Sequence, residues 1–594
     1  MLLTVSLSAT LPLSAASHVD VVKMRTENQV NPLGIGTSTP RFSWQITSDR
    51  KGVVQTSYQI LVASSREKLD RNEADLWDSG ERNSDEQLWI PYQGKALLSG
   101  AQAYWKVRIT TNKGKSEWTE PQLFTIGLLG ETKWSGTWIG LEDLQPGEQK
   151  GMHTRLAARY IRKDFAAKGK VKRAVAYVAG LGVYEFYVNG QRMGGSQALQ
   201  PAPTDYRKTI YYNTFDVTSL LTEKNAIAIK LGNGRMFSMR QEKAYKTPFF
   251  GYPKCRINVK VEYENGKTET WATNNTWKLS FDGPIRSNNE YDGEEYDARR
   301  EQALKGWTQA GFDDSQWQKA ERCAIPDGTL MAQPMTGMVE KEFGHPVSLK
   351  HRHDTLIVDF GQNMAGWIGF QVRGRQGDTI RVKYAEKLQA DGSLYLDNFR
   401  NALSEDIYVC NGKENGKPWR PVFSYHGFRY AAITGMKNAR KEDFTAYTVS
   451  DEMATIGHIE TSDTILNKVL KNAWWGIYGN YKGMPVDCPQ RNERQPWLGD
   501  RTVGSLGESF VFDNERLYSK WMHDICDAQR SDGNIPDVAP AFWNYYTDDV
   551  TWPAALPFTC DMLYHQFGNK QPIIDSYPSI RKWINHILAE YTDK

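Results

Sequence analysis

The sequence predicts a multidomain protein in which several antiparallel β-sandwiches precede a helical domain. Three observations carry this. At 594 residues the chain exceeds what one hydrophobic core serves, and length alone suggests roughly four domains. Up to about residue 450 apolar and polar residues alternate, the period of half-buried strands. After Ser462 the apolar spacing changes to that of one helix face.

In chain order, residues 1–20 read as a signal-like segment, apolar and rich in small residues but without a basic leader, so a periplasmic or secreted protein is expected. Over 21–127, Phe42, Trp44 and Ile46 alternate, as do Tyr58, Ile60 and Val62, and Trp105, Val107 and Ile109. With Asn112-Lys113-Gly114 as a turn, this spacing fits a fibronectin-III-like sandwich of structural role. Residues 128–147, with Trp134 and Trp138, are expected as a linker. A second sandwich is expected over 148–330, where Tyr184, Phe186 and Val188 alternate and Asn189-Gly190 marks a hairpin. A third is expected over 331–450, with Ile380, Val382 and Tyr384 as its clearest strand. There His426 is expected to be buried and hydrogen-bonded, and His351-Arg352-His353-Asp354 to be a turn.

Over 451–594, Ile465, Leu466, Val469, Leu470 and Ala473 repeat at helical spacing behind a Ser462 or Asp463 cap. Further helices are expected at about 515–528, 553–565 and 574–591.

Composition narrows the function. The formal charge is only +3, from 73 basic and 70 acidic residues, with no basic stripe, which argues against nucleic acid as a partner. No stretch is apolar for long enough to span a bilayer. The six cysteines are scattered without a Cys-x-x-Cys pair, so neither a disulfide framework nor a zinc site is expected. The acidic run around Tyr291-Asp292-Gly293-Glu294-Glu295-Tyr296 lacks the spacing of a calcium loop and reads as a structural or solvated patch. No cofactor or metal is expected.

The stretch that carries chemistry is Met484-Pro485-Val486-Asp487-Cys488-Pro489-Gln490-Arg491-Asn492-Glu493-Arg494-Gln495-Pro496-Trp497-Leu498-Gly499-Asp500-Arg501. Its prolines forbid a continuous helix, so an ordered loop is expected. Carboxylates, arginine forks and an indole together suggest charged groups held in fixed places, though structural ion-pair loops share this composition. Cys488 has no adjacent histidine and reads as packing.

Asp-Cys-Pro-Gln-Arg-Asn-Glu-Arg followed by Trp-Leu-Gly-Asp resembles the signature of the glycoside hydrolase family 78 α-L-rhamnosidases, with Asn492 where that family usually has Asp. Asn31-Pro32-Leu33-Gly34, Pro40-Arg41-Phe42-Ser43-Trp44 and Phe423-Ser424-Tyr425-His426-Gly427 extend the likeness over nearly the whole chain. The resemblance implies that the helical domain is part of an (α/α)6 barrel. It implies removal of terminal non-reducing α-L-rhamnose from glycosides or polysaccharides by an inverting mechanism, with Glu493 as general acid. By the same resemblance Asp487 and Asp500 accept rhamnose hydroxyls, Trp497 walls the ring, and Arg491, Trp543, Asp549 and Trp552 complete the pocket. For Asp549 the competing role is a helix N-cap.

Twelve barrel helices need at least ~200 residues. Only about 140 follow Asp451, so an incomplete barrel is expected, with the general base beyond residue 594. Two other functions compete: a non-catalytic carbohydrate-binding scaffold, and an (α/α)6-barrel glycosidase or phosphorylase acting on another sugar. The residues leave the oligomeric state open.

Overall fold

The structure, a computed structural model, describes residues 19–151, 153–237, 250–436 and 438–592. The signal-like residues 1–18 lie outside this range. The chain divides into two compact units, meeting between Ile126 and Gly127.

The first unit holds two sheets. Val19–Thr26, Arg41–Ser48 and Ile90–Pro91 form one, and Gln55–Ala63 and Gln102–Thr111 pair antiparallel at the centre of the other. Phe42, Trp44, Ile60, Val62, Trp105, Val107 and Ile109 are all buried, as their period of two requires, with the Phe42 and Trp105 rings 4.4 Å apart. A short helix, α1 (Arg66–Asp70), is capped by the Ser65 side chain.

In the second unit, Val171–Leu181, Thr209–Asp216 and Lys254–Tyr263 lie in one sheet, and Arg159–Ala166, Val183–Val188 and Lys224–Gly232 in another. Between them pack Ile161, Val178, Phe186, Ile229, Ile257 and Trp277. The hairpin at Asn189-Gly190 puts both residues in the left-handed region, at φ 48° and 86°. Residues 128–147 do not run free: Trp134 and Trp138 are buried against Tyr177 and Tyr212, and Ile139–Gly140 pairs with Lys254–Tyr263.

A larger sheet follows, centred on Thr355–Gln371, which pairs with His426–Thr434 and Phe444–Asp451. Two strands come to it from earlier in the chain than the expected boundary at 330. Ile285–Asn289 and Gly293–Asp297 form its far edge, the latter running parallel to Glu405–Val409. The Asp406 carboxylate accepts the Glu294 amide at 2.8 Å, which fixes this register. His426 is buried, within 3.2 Å of Asp406 Oδ2 and of Ser404 Oγ, its ring stacked on Tyr384 at 3.9 Å. His353, at φ 52°, turns the hairpin between Ser348–Arg352 and Thr355–Gln371.

Five helices close the chain: α2 (Thr464–Gly479), α3 (Leu498–Ser509), α4 (Glu515–Ala528), α5 (Ala555–Phe567) and α6 (Gln571–Tyr591). Leu517, Tyr518, Trp521, Ile525, Leu556, Leu563 and Trp583 form their core. Asp463 caps α2, accepting the Ile465 and Leu466 amides at 2.7 and 3.2 Å. The apolar stripe that predicts α2 is not its buried face: Ile465 is 71% exposed, and burial is confined to the last turn at Tyr478 and Gly479. The expected loop is also shorter than its sequence suggests, because Leu498-Gly499-Asp500-Arg501 forms the first turn of α3. No helix among the described residues is long and apolar enough to cross a membrane.

Candidate active site

The loop ahead of α3 is held at both ends by backbone bonds. Val486 N donates to Asn480 O at 2.9 Å, Asp487 N to Gln495 O at 2.8 Å, and Gln495 N returns to Asp487 Oδ1 at 2.6 Å. Inside this ring the fully buried Arg494, itself at φ 52°, donates to the carbonyls of Arg491 (3.0 Å), Tyr425 (2.8 Å), Gln490 (3.3 Å) and Glu290. Its guanidinium lies 4.5 Å from the Tyr425 ring centre and 5.5 Å from that of Tyr291. Arg235, paired with Glu290 at 2.8 Å, donates to Arg494 O at 2.7 Å, and Tyr291 Oη reaches Glu493 O at 3.4 Å. The acidic stretch from Tyr291 onward, read from sequence as a patch, therefore begins by bracing this loop.

What the brace presents is Glu493. Its Oε1 accepts the Trp497 Nε1 hydrogen at 3.0 Å, while Oε2 accepts from Arg491 Nε at 2.9 Å and forms an ion pair with Arg400, whose Nη2 lies 3.0 Å away. Arg491 also reaches Asp487 Oδ2 at 3.2 Å. Burial pushes the Asp487 carboxyl above its usual range, and the charge of Glu493 adds to the shift. Asp500, the exposed residue in the first turn of α3, is raised by the same two causes in the same order.

Of the three arginines in the motif, then, only Arg491 faces these carboxylates; Arg494 serves backbone carbonyls and Arg501 pairs with Glu508 at 3.2 Å. Asp487, whose side chain is only 3% exposed, uses one oxygen on the loop and the other on Arg491. One ligand atom from each of Asp487, Cys488 and Glu493 fits within 4.8 Å of the others, a spacing that could hold a metal. Arg491 already occupies both carboxylates, and burial raises the Cys488 thiol far above its usual value, so this donor set does not suit a cation.

Trp497 is half-buried. The Trp543 ring meets it edge-on at 5.8 Å and Tyr545 lies at 5.6 Å. Leu498 N donates to Asp537 O, and Asp537 N to Tyr545 O, both at 2.9 Å, which pins the 537–545 segment beside the indole. Trp552 packs on Gly499, where a β-carbon would run into its ring. Asp549 serves as a cap, its Oδ1 accepting the Trp552 amide at 3.1 Å on the turn before α5. Its neighbour Asp548 accepts from His586 Nε2 at 2.9 Å and Tyr591 Oη at 2.5 Å.

The site thus gathers Asp487, Arg491, Glu493, Trp497, Asp500 and Trp543. Sequence reasoning missed Arg400, Asp537 and Tyr545. Tyr545 was within reach, two residues after Trp543. Arg400 gives no local signal, because it arrives from the preceding sandwich.

Four family models cover most of the chain. They are the Rha78A-like N-terminal immunoglobulin domain at residues 21–130, the alpha-L-rhamnosidase N-terminal domain at 169–342, the bacterial alpha-L-rhamnosidase concanavalin-like domain at 349–450, and the bacterial alpha-L-rhamnosidase 6 hairpin glycosidase domain at 454–594. The chain carries the domains of the bacterial α-L-rhamnosidase family. It is 33% identical to an alpha-L-rhamnosidase of Alteromonas sp. (strain LOR) over 572 residues, 94% of this chain and 61% of that protein. Its fold matches the alpha-L-rhamnosidase of Dictyoglumus thermophilum with TM-score 0.88 and 35% identity, over 96% of this chain and 65% of that one. It also matches a Streptomyces avermitilis alpha-L-rhamnosidase complexed with L-rhamnose, with TM-score 0.88 and 26% identity, over 97% and 71%. The β-sandwiches followed by part of a six-hairpin helical barrel are therefore the family architecture. The chain spans about three-fifths of the length of the Alteromonas relative.

Proposed function

We propose that this chain carries the proton-donating part of an α-L-rhamnosidase that releases terminal α-L-rhamnose from glycosides or polysaccharides with inversion. The observation that carries this reading is the bonding of Glu493, a carboxyl aimed by an indole N–H on one oxygen and by two guanidinium groups on the other.

In this mechanism Glu493 protonates the departing glycosidic oxygen, and Trp497 with Tyr545 supplies the wall for the sugar ring. Asp500, solvent-facing and with its carboxyl raised, bonds a rhamnose hydroxyl. Asp487 acts at one remove by holding Arg491. It is not the partner base, because it shares Arg491 with Glu493 and lies within 4.8 Å of it, whereas inverting carboxyls stand about 6.5–9.5 Å apart to admit water. The mechanism calls for a further carboxyl at that greater separation, and none is assigned here. Export to the periplasm or medium rests on the signal-like residues 1–17, and cell fractionation tests it.

The test is hydrolysis of p-nitrophenyl α-L-rhamnoside and of a rhamnose-terminated disaccharide, with anomeric configuration followed by NMR. Glu493→Gln should lose roughly a hundredfold or more on the disaccharide, and less on the aryl glycoside, whose leaving group needs little proton assistance. Unchanged disaccharide hydrolysis by Glu493→Gln would remove the assignment.

A further inference from the structure

Glu493 belongs to the helical domain, yet one of its partners does not. Arg400 Nη2 lies 3.0 Å from Glu493 Oε2, the oxygen also bonded by Arg491. Arg400 follows a 3-10 turn, Asp397–Phe399, in the sandwich that precedes the helices. It sits at φ 57° and ψ −118°, a backbone region that side-chain-bearing residues avoid at a cost of about 1–3 kcal/mol. Such a conformation persists only where neighbours hold it, and here they do. Phe399 is buried with Tyr291 and Ala402, and Asn398 Nδ2 donates to Glu386 Oε2 at 3.0 Å, a carboxylate also bonded by Asn363 Nδ2 at 3.0 Å.

A second contact ties the same loop to the motif. Asn492 Nδ2 donates to Asn401 Oδ1, one residue before Glu493 and one after Arg400. An aspartate at 492, the usual residue in the motif, has no hydrogen to give to that oxygen when ionised. The departure from the usual motif therefore lies at the contact with this loop.

We propose that residues 396–401 of this sandwich are a working part of the active site, with Arg400 as the positioning residue for Glu493. The inference rests on the reading of Glu493 as the acid. Together with Trp497, Arg400 fixes the carboxyl so that one orientation faces the leaving oxygen. The charged groups facing Glu493 are then Arg491 and Asp487 from the loop, Asp500 from the first turn of α3, and Arg400 from the sandwich. With its side chain 49% exposed, Arg400 can be replaced without opening a buried gap.

The test compares Arg400→Met and Arg400→Lys with the parent and with Glu493→Gln in the whole active protein. Each is assayed on a rhamnose-terminated disaccharide and on p-nitrophenyl α-L-rhamnoside. For Arg400→Met we expect kcat on the disaccharide to fall roughly tenfold, part of the ~10²–10⁴ that a placed acid supplies, with little loss on the aryl substrate. Arg400→Lys should return most of the loss.

Equal losses on both substrates, or no loss at all, would overturn the role of Arg400 while a dead Glu493→Gln kept the acid assignment intact. Full disaccharide activity in Glu493→Gln would overturn both.

Discussion

The indole Nε1 of Trp497 donates to Glu493 Oε1 at 3.0 Å, joining the residue that would wall a sugar to the residue that would protonate it. Trp497→Phe separates the two roles, because the aromatic face remains and the hydrogen is lost. A typical hydrogen bond contributes about 0.5–1.5 kcal/mol. The disaccharide kcat should therefore fall roughly two- to tenfold, while KM changes little. A change confined to KM would assign Trp497 to binding alone.

Arg494 is the keystone of the loop. Arg494→Met leaves four carbonyls, those of Arg491, Gln490, Tyr425 and Glu290, without their guanidinium partner. With each unmet buried polar group costing about 1–3 kcal/mol, the melting temperature should drop by several degrees and activity should go with it. A variant that melts with the parent would show that the loop stands without this residue.

At Gly499 the prediction concerns space. A methyl group there meets the Trp552 ring, so Gly499→Ala must displace either the ring or the start of α3, at about 1–3 kcal/mol. Adding Trp552→Ala makes room. A double-mutant cycle should give a coupling of about 1 kcal/mol or more between the two changes, and simple additivity would refute the contact.

Glu294 is buried on the Gly293–Asp297 strand, its Oε2 accepting the amides of Val422 and Phe423 at 3.2 and 3.1 Å. Desolvation dominates, outweighing nearby Lys230, and pushes the carboxyl up to about 8. The folded state thus binds a proton more tightly than the unfolded chain does. Its stability contribution is present at low pH and is lost as pH rises from about 4.5 through about 8. Glu294→Gln keeps the acceptor without the charge, so its melting temperature relative to the parent should climb over that window. A flat difference across the window would mean that the carboxyl is solvated.

The sandwiches were legible because alternation along a strand is a local property, and Phe42-Ser43-Trp44 or Ile380-Arg381-Val382 carries it in the residues themselves. The helices were legible where a cap or turn marks them, as at Asp463. Their packing was not, since the exposed Ile465 and Val469 spell the same pattern as a buried stripe. Helix α3 escaped notice for a different reason. Gly499, Gly504 and Gly507 are poor helix formers, and contacts with α5 and the site override that preference.

The motif itself placed Glu493, Arg491 and Trp497 in one loop, because they are close in sequence. It could not distinguish Arg491, which meets the carboxylates, from Arg494, which meets carbonyls; both are arginines beside acidic residues. Arg400 stands more than ninety positions upstream of Glu493 and reaches it only through the fold.

The strands Ile285–Asn289 and Gly293–Asp297 leave the sandwich of their sequence neighbours to edge the next sheet. A fragment begun at Met331, where the expected boundary falls, would strip Glu405–Val409 of its parallel neighbour and leave that edge open to self-association. It would also remove Arg235, Glu290 and Tyr291 from behind the Glu493 loop. Dissecting this protein into separately expressed pieces therefore calls for keeping both sandwiches with the helices. Low solubility or lost turnover in a shorter piece would report the cut rather than the chemistry.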